Sequence, residues 1–593
     1  MPTAERAHAA AGAPSEEGAP GAGRARRWAW GALAAVLLGG LGLRLWGVRQ
    51  GLPYAYNADE ADHFVPHAIE MFAHGTLNPH YFANPPAFTY VLHAVFALAY
   101  GGAKGAVRAF AVHPEAVYTL ARVCAAALGT VALWLLYLVG ARLWGRAVGL
   151  LAAAIEAVAF LPVFYAHLAL NDAPTLAPAT LSLLGSAGVL RKGRLRDHLL
   201  AGVGLGLACA TKYTAGIVLL PLLAAIALRH RGRGAGPPAR ALAGLALAGA
   251  CALAAFVVAN PYALLDYHSF HAELAHQSAL SSESQGKLGA PKEGGLAYYL
   301  WSFTWGLGWG PSLAALAGAV TVWRRERALG WLLVPAAVAF LAFMGTESRY
   351  FGRWLMPIFP VACLLAAMFT AQVVAWAGLT LRSQGARVLL AALLVVALLV
   401  QGLVYSVHSG MVLSRADTRN VARAWMVAHI PAGAKIVAEP VEPEEWAQEV
   451  RPGTSTAANP YRWRLYPALF QRATPSDAIA PSFIREVGLE DYETTLYPAL
   501  VGFYEREGYC WVITGSTEAG RAFADPRAVP HAIAYYRQLA RSARAVFHAS
   551  PYAAGKGPVA FNFDWSFDYY PLAYDRPGPS LTVYRLRGGR CRR

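Results

Sequence analysis

Between Tyr54 and Pro86 the chain reads Y-A-Y-N-A-D-E-A-D-H-F-V-P-H-A-I-E-M-F-A-H-G-T-L-N-P-H-Y-F-A-N-P-P, which sets Asp59, Glu60 and Asp62 beside His63 and His67. Carboxylates take up protons and imidazoles titrate near neutrality, so this density of both suits acid–base chemistry. Asp59, His63 and His67 recur every four residues, so one helical face could bear all three and hold a divalent cation. Pro66 interrupts that helix and no H-E-x-x-H pattern accompanies it. Further polar groups stand at short turns between apolar runs: Asn171 and Asp172 in A-L-N-D-A-P-T, Lys212 in A-T-K-Y-T, Asn260 in N-P-Y, and Glu347, Arg349, Tyr350 and Arg353 in T-E-S-R-Y-F-G-R.

The elements that position these groups follow from composition. Of 593 residues, 56% are hydrophobic and 15% charged, where a soluble protein carries about a quarter charged. Apolar runs of about 20 residues recur, the length a helix needs to cross a bilayer. This is the composition of a polytopic membrane protein, and it excludes a soluble globular enzyme. The net charge of +16 comes from short clusters between the runs, such as Arg191/Lys192/Arg194/Arg196 and Arg324/Arg325/Arg327. Lys and Arg in short loops mark the cytoplasmic side, so topology accounts for the charge and a nucleic acid is not an expected partner. Four of the six cysteines lie in apolar runs and none forms a C-x-x-C pair. Cys510 and Cys591 share the last segment and could pair if it is exported, an inert pair of thiols being the alternative.

Residues 1–23, rich in Ala, Gly, Pro and Glu, read as a disordered cytosolic tail. A retained anchor at 28–48 then puts the N-terminus inside and residues 50–115 outside as a first outer loop. Arg44, near the outer end of this span, reads as a snorkelling side chain. Residues 86–102 are short for a span and carry His93. Read as a helix at the outer surface, they keep every later basic cluster inside. Spans follow at about 116–140, 147–168, 173–190, 198–211, 213–229, 241–259, 297–322, 329–345, 354–378 and 388–407, about eleven with the first. The odd count makes 24–408 a membrane domain and leaves 409–593 outside as an α/β domain. There Asp417–His429 has helical spacing behind an Asp cap, and Lys435–Ala438, Tyr509–Thr514 and Leu581–Leu586 read as strands.

Under this topology the turn residues gather on the outer side. Ionisable groups at membrane depth are costly and usually functional. Transfer of a sugar from a polyprenyl phosphate needs a carboxylate to take the acceptor hydroxyl's proton as it attacks the anomeric carbon. It also needs cations to hold the leaving phosphate. Asp59 is the candidate base, with Glu60 beside it, and Lys212 and Arg349 are the candidate phosphate clamps. Asp172 could orient the acceptor or share a divalent cation with the first loop, and Asn84, Asn171 and Tyr350 are further candidate substrate contacts. No Gly-rich loop for a nucleotide sugar is present.

The ordered set A-D-E-A after the first span, N-P-P-A-F opening a juxtamembrane helix, N-D-A-P-T, T-K-Y, R-Y-F followed by M-P-I-F-P, and D-T-R-N-V-A-R-A-W opening the last segment resembles the GT-C superfamily of integral membrane glycosyltransferases. Within it, the likeness is to the protein O-mannosyltransferase and aminoarabinose-transferase type. The resemblance implies an inverting enzyme of a bacterial inner membrane, with Asp59 as base, a polyprenyl-phosphate sugar as donor and an external active site. Asn84 stands where relatives often have Glu or His before the Pro-Pro pair. Asp62 is acidic near where some relatives place a cationic phosphate contact. The alternative reading of the same charges is a transporter or flippase of a lipid-linked substrate, which would favour charges at the midplane and broken helices in paired halves. A membrane-anchored assembly protein acting through its C-terminal part would not need Asp59.

Overall fold

A bilayer supplies no hydrogen-bond partners, so apolar runs of this length satisfy their backbone only as helices. The computed structural model describes residues 22–231, 238–282, 294–439, 444–447, 462–466, 471–472, 485–486, 489–560 and 571–592. Helix α1 (Ala22–Leu45) leads through a turn-rich stretch to a single π-helical turn, Glu60–Phe64, and α2 (Val65–His74). Helices α3 (Ala87–Tyr100) and α4 (Ala103–Val112) meet at a bend of 93°. At 1.5 Å per residue each is about 21 Å long or less, short of the ~30 Å hydrocarbon core.

The membrane bundle continues through α5 (Pro114–Trp144), α6 (Arg146–Val158), α7 (Phe160–Tyr165), α8 (Asp172–Arg191), α9 (Leu195–Thr211), α10 (Leu219–Arg229) and α11 (Pro238–Ala259). Two further helices, α12 (Tyr262–Leu265) and α13 (Tyr267–Ser282), precede α14 (Gly295–Phe303), α15 (Trp309–Arg325), α16 (Arg327–Thr346), α17 (Phe359–Thr380) and α18 (Gln384–Leu413). Among the described residues seven helices are long and apolar enough to cross a membrane, or eight if the bent pair is one span. The chain is a multi-pass membrane protein, but the expected count of about eleven is not established. The stretch 147–168 divides into α6 and α7, 297–322 is interrupted between α14 and α15, and α9 and α10 are short. Hydropathy sums residues across a backbone break and cannot register it.

The break between α6 and α7 also corrects the reading of Arg44. Far from snorkelling, Arg44 is fully buried. Its guanidinium donates to the carbonyls of Gly40 (2.9 Å), Ala157 (3.1 Å) and Glu156 (3.3 Å), and Ser406 Oγ donates to that of Val158 (2.9 Å). The last carbonyls of a helix lack intrahelical donors, and Pro162 has no N–H to offer Val158. The cation and the hydroxyl supply the missing bonds.

Beyond α18 the chain changes character. Helix α19 (Thr418–His429) is capped by Asp417, whose side chain accepts from Arg419 N. Strands β1 (Lys435–Ala438) and β2 (Arg464–Tyr466), the short antiparallel pair β3 (Gln471–Arg472) and β4 (Arg485–Glu486), and β5 (Tyr509–Gly515), β6 (Ala543–Ala549) and β7 (Leu581–Leu586) follow. Helices α20 (Ala499–Glu507), α21 (Ser516–Ala524) and α22 (Pro530–Ser542) accompany them. The main sheet has the order β2-β1-β5-β7-β6, parallel among β2, β1 and β5 and antiparallel thereafter. The expected strands 435–438 and 581–586 coincide with β1 and β7, and β5 adds one residue to 509–514. Ile436, Val437, Val512, Ile513, Leu581 and Val583 are buried along it. A disulfide joins Cys510 to Cys591, while Cys124, Cys209, Cys251 and Cys363 are free thiols. Mass-tagged maleimide in denaturant is therefore expected to label four cysteines without reductant and six with it, read by intact mass.

Candidate active site

The π-helical turn sends two neighbouring acids in opposite directions. Glu60 points into the bundle, where Nε and Nη2 of Arg122 donate to its two oxygens at 2.7 Å each. Ala169 N donates to Oε1 at 2.7 Å, and Arg122 Nη1 donates to the carbonyls of Val48 (2.9 Å) and Gln50 (2.8 Å). Both side chains are 0% exposed. A bidentate, charge-assisted pair is strong and directional. It ties the loop before α2 to α5 and to the turn before α8, and it leaves Glu60 with no exposed surface.

Asp59 remains 39% exposed. Its Oδ2 accepts from Arg353 Nη2 at 2.6 Å, and its Oδ1 lies 3.7 Å from His63 Nε2. Nε of Arg353 in turn lies 3.9 Å from Oδ2 of Asp172, and Oδ1 of Asp172 accepts from Lys212 Nζ. Two carboxylates and two cations thus alternate in one cluster. Arg353 also lies 4.8 Å from the ring centroid of Phe351 and 5.7 Å from that of Tyr165, with its guanidinium over both rings.

Local packing accounts for each position. Helices α8 and α9 run antiparallel, so Asp172 at the start of one adjoins Lys212 just past the end of the other. Their close approach needs glycine: a Cβ on Gly185 would stand 2.2 Å from Ala201 N, and one on Gly204 2.3 Å from Ser182 N. Small residues permit such backbone contact between membrane helices. Asn171 Nδ2 donates to the carbonyl of Thr211 at 2.7 Å, fixing the peptide that carries Lys212. Asn171 is therefore a brace, buried beneath the cluster.

On the other side, Tyr213 Oη donates to the Phe82 carbonyl at 2.9 Å, and Glu273 of α13 accepts from the N–H groups of Phe82 (2.5 Å) and Ala83 (2.9 Å). Asn84 Nδ2 donates to Tyr81 Oη at 2.7 Å. The Tyr81 ring stacks on His63 and on His67, each at 4.8 Å, and His67 Nδ1 meets Glu70 at 2.8 Å. Burial pushes the Asp62 carboxyl above its ordinary range and the His67 imidazole below its own. Among the described residues no three His, Cys, Asp or Glu side chains come together as a metal site. His63 and His67 lie against Tyr81, and Arg353 and Lys212 already bridge the aspartates, so the residues present do not fit the divalent cation considered for them.

Tyr350 packs on Tyr298 (4.6 Å) and Tyr299 (6.4 Å), and Arg349 is half-buried on the same loop. The guanidinium that reaches both aspartates belongs to Arg353, four residues on in R-Y-F-G-R. Sequence reasoning names Arg353 at that turn without a role and passes over Arg122 altogether. Its signal is a lone charge inside an apolar run, which calls for a partner.

Residues 84–259 match the dolichyl-phosphate-mannose-protein mannosyltransferase family. No curated protein matches the chain. Among solved structures, the oligosaccharyltransferase of Archaeoglobus fulgidus in its apo form aligns with a TM-score of 0.50 and 13% identity over 85% of this chain and 72% of that one. The archaeal oligosaccharyltransferase from Archaeoglobus fulgidus in complex with an inhibitory peptide and a dolichol-phosphate aligns with a TM-score of 0.50 and 13% identity, over 91% and 75%. ArnT from Cupriavidus metallidurans bound to undecaprenyl phosphate aligns with a TM-score of 0.44 and 18% identity, over 68% and 81%. The fold is the one expected from the sequence motifs, that of the GT-C membrane glycosyltransferases.

Removing one member of a buried ion pair strands the other. Arg122→Leu is therefore expected to lower the unfolding free energy by about 3–5 kcal/mol, measured by thermal unfolding in detergent. Glu60→Gln combined with Arg122→Gln should cost less than the sum of the two single changes.

Proposed function

We propose that this chain transfers a sugar from a polyprenyl phosphate to an acceptor hydroxyl, with inversion, on the outer face of a bacterial inner membrane. The observation that carries the reading is the Asp59–Arg353–Asp172–Lys212 cluster at the ends of membrane helices. Asp59, the exposed acid, takes the proton of the acceptor hydroxyl as its oxygen bonds to the anomeric carbon. The bond from that carbon to the phosphate oxygen breaks, and the electron pair leaves with the phosphate. The extra negative charge on the leaving phosphate falls to Lys212 and Arg353, fixed cations of the kind that lower such a barrier.

Asp172 accepts from Lys212 and lies 3.9 Å from Nε of Arg353, whose Nη2 meets Asp59. An arriving phosphate competes with Asp59 for Arg353, so donor binding itself releases the base from its ion pair. Glu60 does not take part in proton transfer; it holds Asp59 in place through Arg122. The reading is supported by the mannosyltransferase match over 84–259 and by the dolichol-phosphate held by the archaeal relative. The disulfide between Cys510 and Cys591 agrees with an oxidising, external location for the C-terminal part.

The test uses purified protein in lipid nanodiscs, a panel of radiolabelled polyprenyl-phosphate sugars, and a membrane extract as acceptor source. Wild type should transfer label, and Asp59→Asn should lose about 10²–10⁴-fold of the rate with unchanged size-exclusion behaviour. Lys212→Met and Arg353→Met should each lose about 10²–10³-fold. Equal rates for wild type and Asp59→Asn would remove Asp59 as base. Flipping of the same lipids without transfer would favour a transporter.

A further inference from the structure

The turn-rich stretch from Trp46 to Asn57 carries Asp59 but has no regular structure of its own to hold it. Its carbonyls are taken up by side chains from two directions. From the membrane bundle, His167 Nε2 meets the Trp46 carbonyl at 2.9 Å and Arg122 donates to those of Val48 (2.9 Å) and Gln50 (2.8 Å). From the C-terminal part, Asn420 Nδ2 donates to the Gly51 carbonyl at 2.8 Å, and Asn420 Oδ1 accepts from Tyr56 Oη at 2.6 Å. The Arg419 guanidinium lies 3.7 Å from the Tyr56 ring centroid, and Nε and Nη2 of the same guanidinium each donate to Asp417 at 2.9 Å. Tyr54 is buried in the same core as Met426, Ile436 and Ile513, with Arg423 over its ring at 5.3 Å.

From this geometry we infer that α19 of the C-terminal part is a positioning element of the active site, acting on Asp59 through the Asn420–Tyr56 contact. Asn420 is suited to the task because its amide both donates and accepts, closing the chain around Gly51 and Tyr56 at once. Asp59 follows Tyr56 by three residues, with Glu60 clamped just beyond. The base is therefore held between two anchors, one in the bundle and one in the C-terminal part. Neither Tyr56 nor Asn420 is part of the charged cluster, so their loss should misplace the base without weakening the hold on phosphate. The inference rests on the proposed sugar transfer for its catalytic consequence, but the anchoring is testable without it.

Tyr56→Phe keeps the ring over which Arg419 lies and removes the one hydroxyl, while Asn420→Ala removes both contacts. Turnover is expected to fall about tenfold in Tyr56→Phe and more in Asn420→Ala, with KM for the donor within twofold of wild type. The double variant should be no slower than Asn420→Ala alone. Hydrogen exchange of peptides covering 51–64 should speed up at least fivefold in Asn420→Ala, while peptides of β5 and β7 keep their protection. Unchanged turnover in both variants, or a rise in KM that accounts for the whole loss, would overturn the positioning role. If wild type transfers no sugar, the reaction assigned above fails instead, and exchange alone decides the anchoring: faster exchange over 51–64 upholds it, and unchanged exchange overturns it.

Discussion

Two charges, Glu60 and Arg122, sit entirely out of water, and the arrangement of the site depends on their being matched. Stripping ions of solvent costs several kcal/mol each unless geometry restores what water supplied. Here the carboxylate receives both forks of the guanidinium and one backbone N–H, while the remaining guanidinium nitrogen answers two loop carbonyls. That network decides which of two adjacent acids faces inward. Once Glu60 is committed to the bundle, the π-helical turn leaves Asp59 facing the open side, where Arg353 meets it. A buried pair of this kind is weak evidence for stability but a strong constraint on register, and under the proposed reaction register is what Asp59 requires as base.

The charged cluster outside that anchor is balanced. Asp59 and Asp172 offset Arg353 and Lys212, so these four groups together carry no net charge to solvate. An anionic lipid headgroup upsets the balance, and under the proposed reaction the upset is productive: the arginine turns toward phosphate and the base is freed. Substrate arrival and activation of Asp59 then become one electrostatic event. The glycines that let α8 and α9 touch belong to the same design, since a larger separation would part Asp172 from Lys212.

Much of this was legible in the sequence, and the divisions are physical. Strands β1, β5 and β7 and the cap at Asp417 were legible because short periodic elements with defined ends announce themselves locally. Asp172 and Lys212 were legible as charges at turns between apolar runs, and the structure pairs them. The break at Ala159 was not, because apolar residues continue through it and only the hydrogen-bond accounting of Val158 and Pro162 reveals it. The difference between Asp59 and Glu60 was hidden for a similar reason. Neighbouring acids look alike until the partner of one, an arginine in another helix, is placed. That Arg353 reaches both aspartates was not legible, because residue spacing in an irregular loop does not say where each arginine points.

Arg44 has a consequence for how the molecule is made. Its acceptors Glu156 and Ala157 lie 112 and 113 residues farther along the chain. At ordinary synthesis rates α6 follows α1 out of the ribosome after a delay on the order of ten seconds. During that interval the guanidinium has the Gly40 carbonyl of its own helix but not its two acceptors on α6, and a cation so poorly matched is costly among lipid tails. The bonds from Arg44 to Glu156 and Ala157 can form only once α6 has been made. The burial of Arg44 is thus completed by a helix made later than the one that carries it.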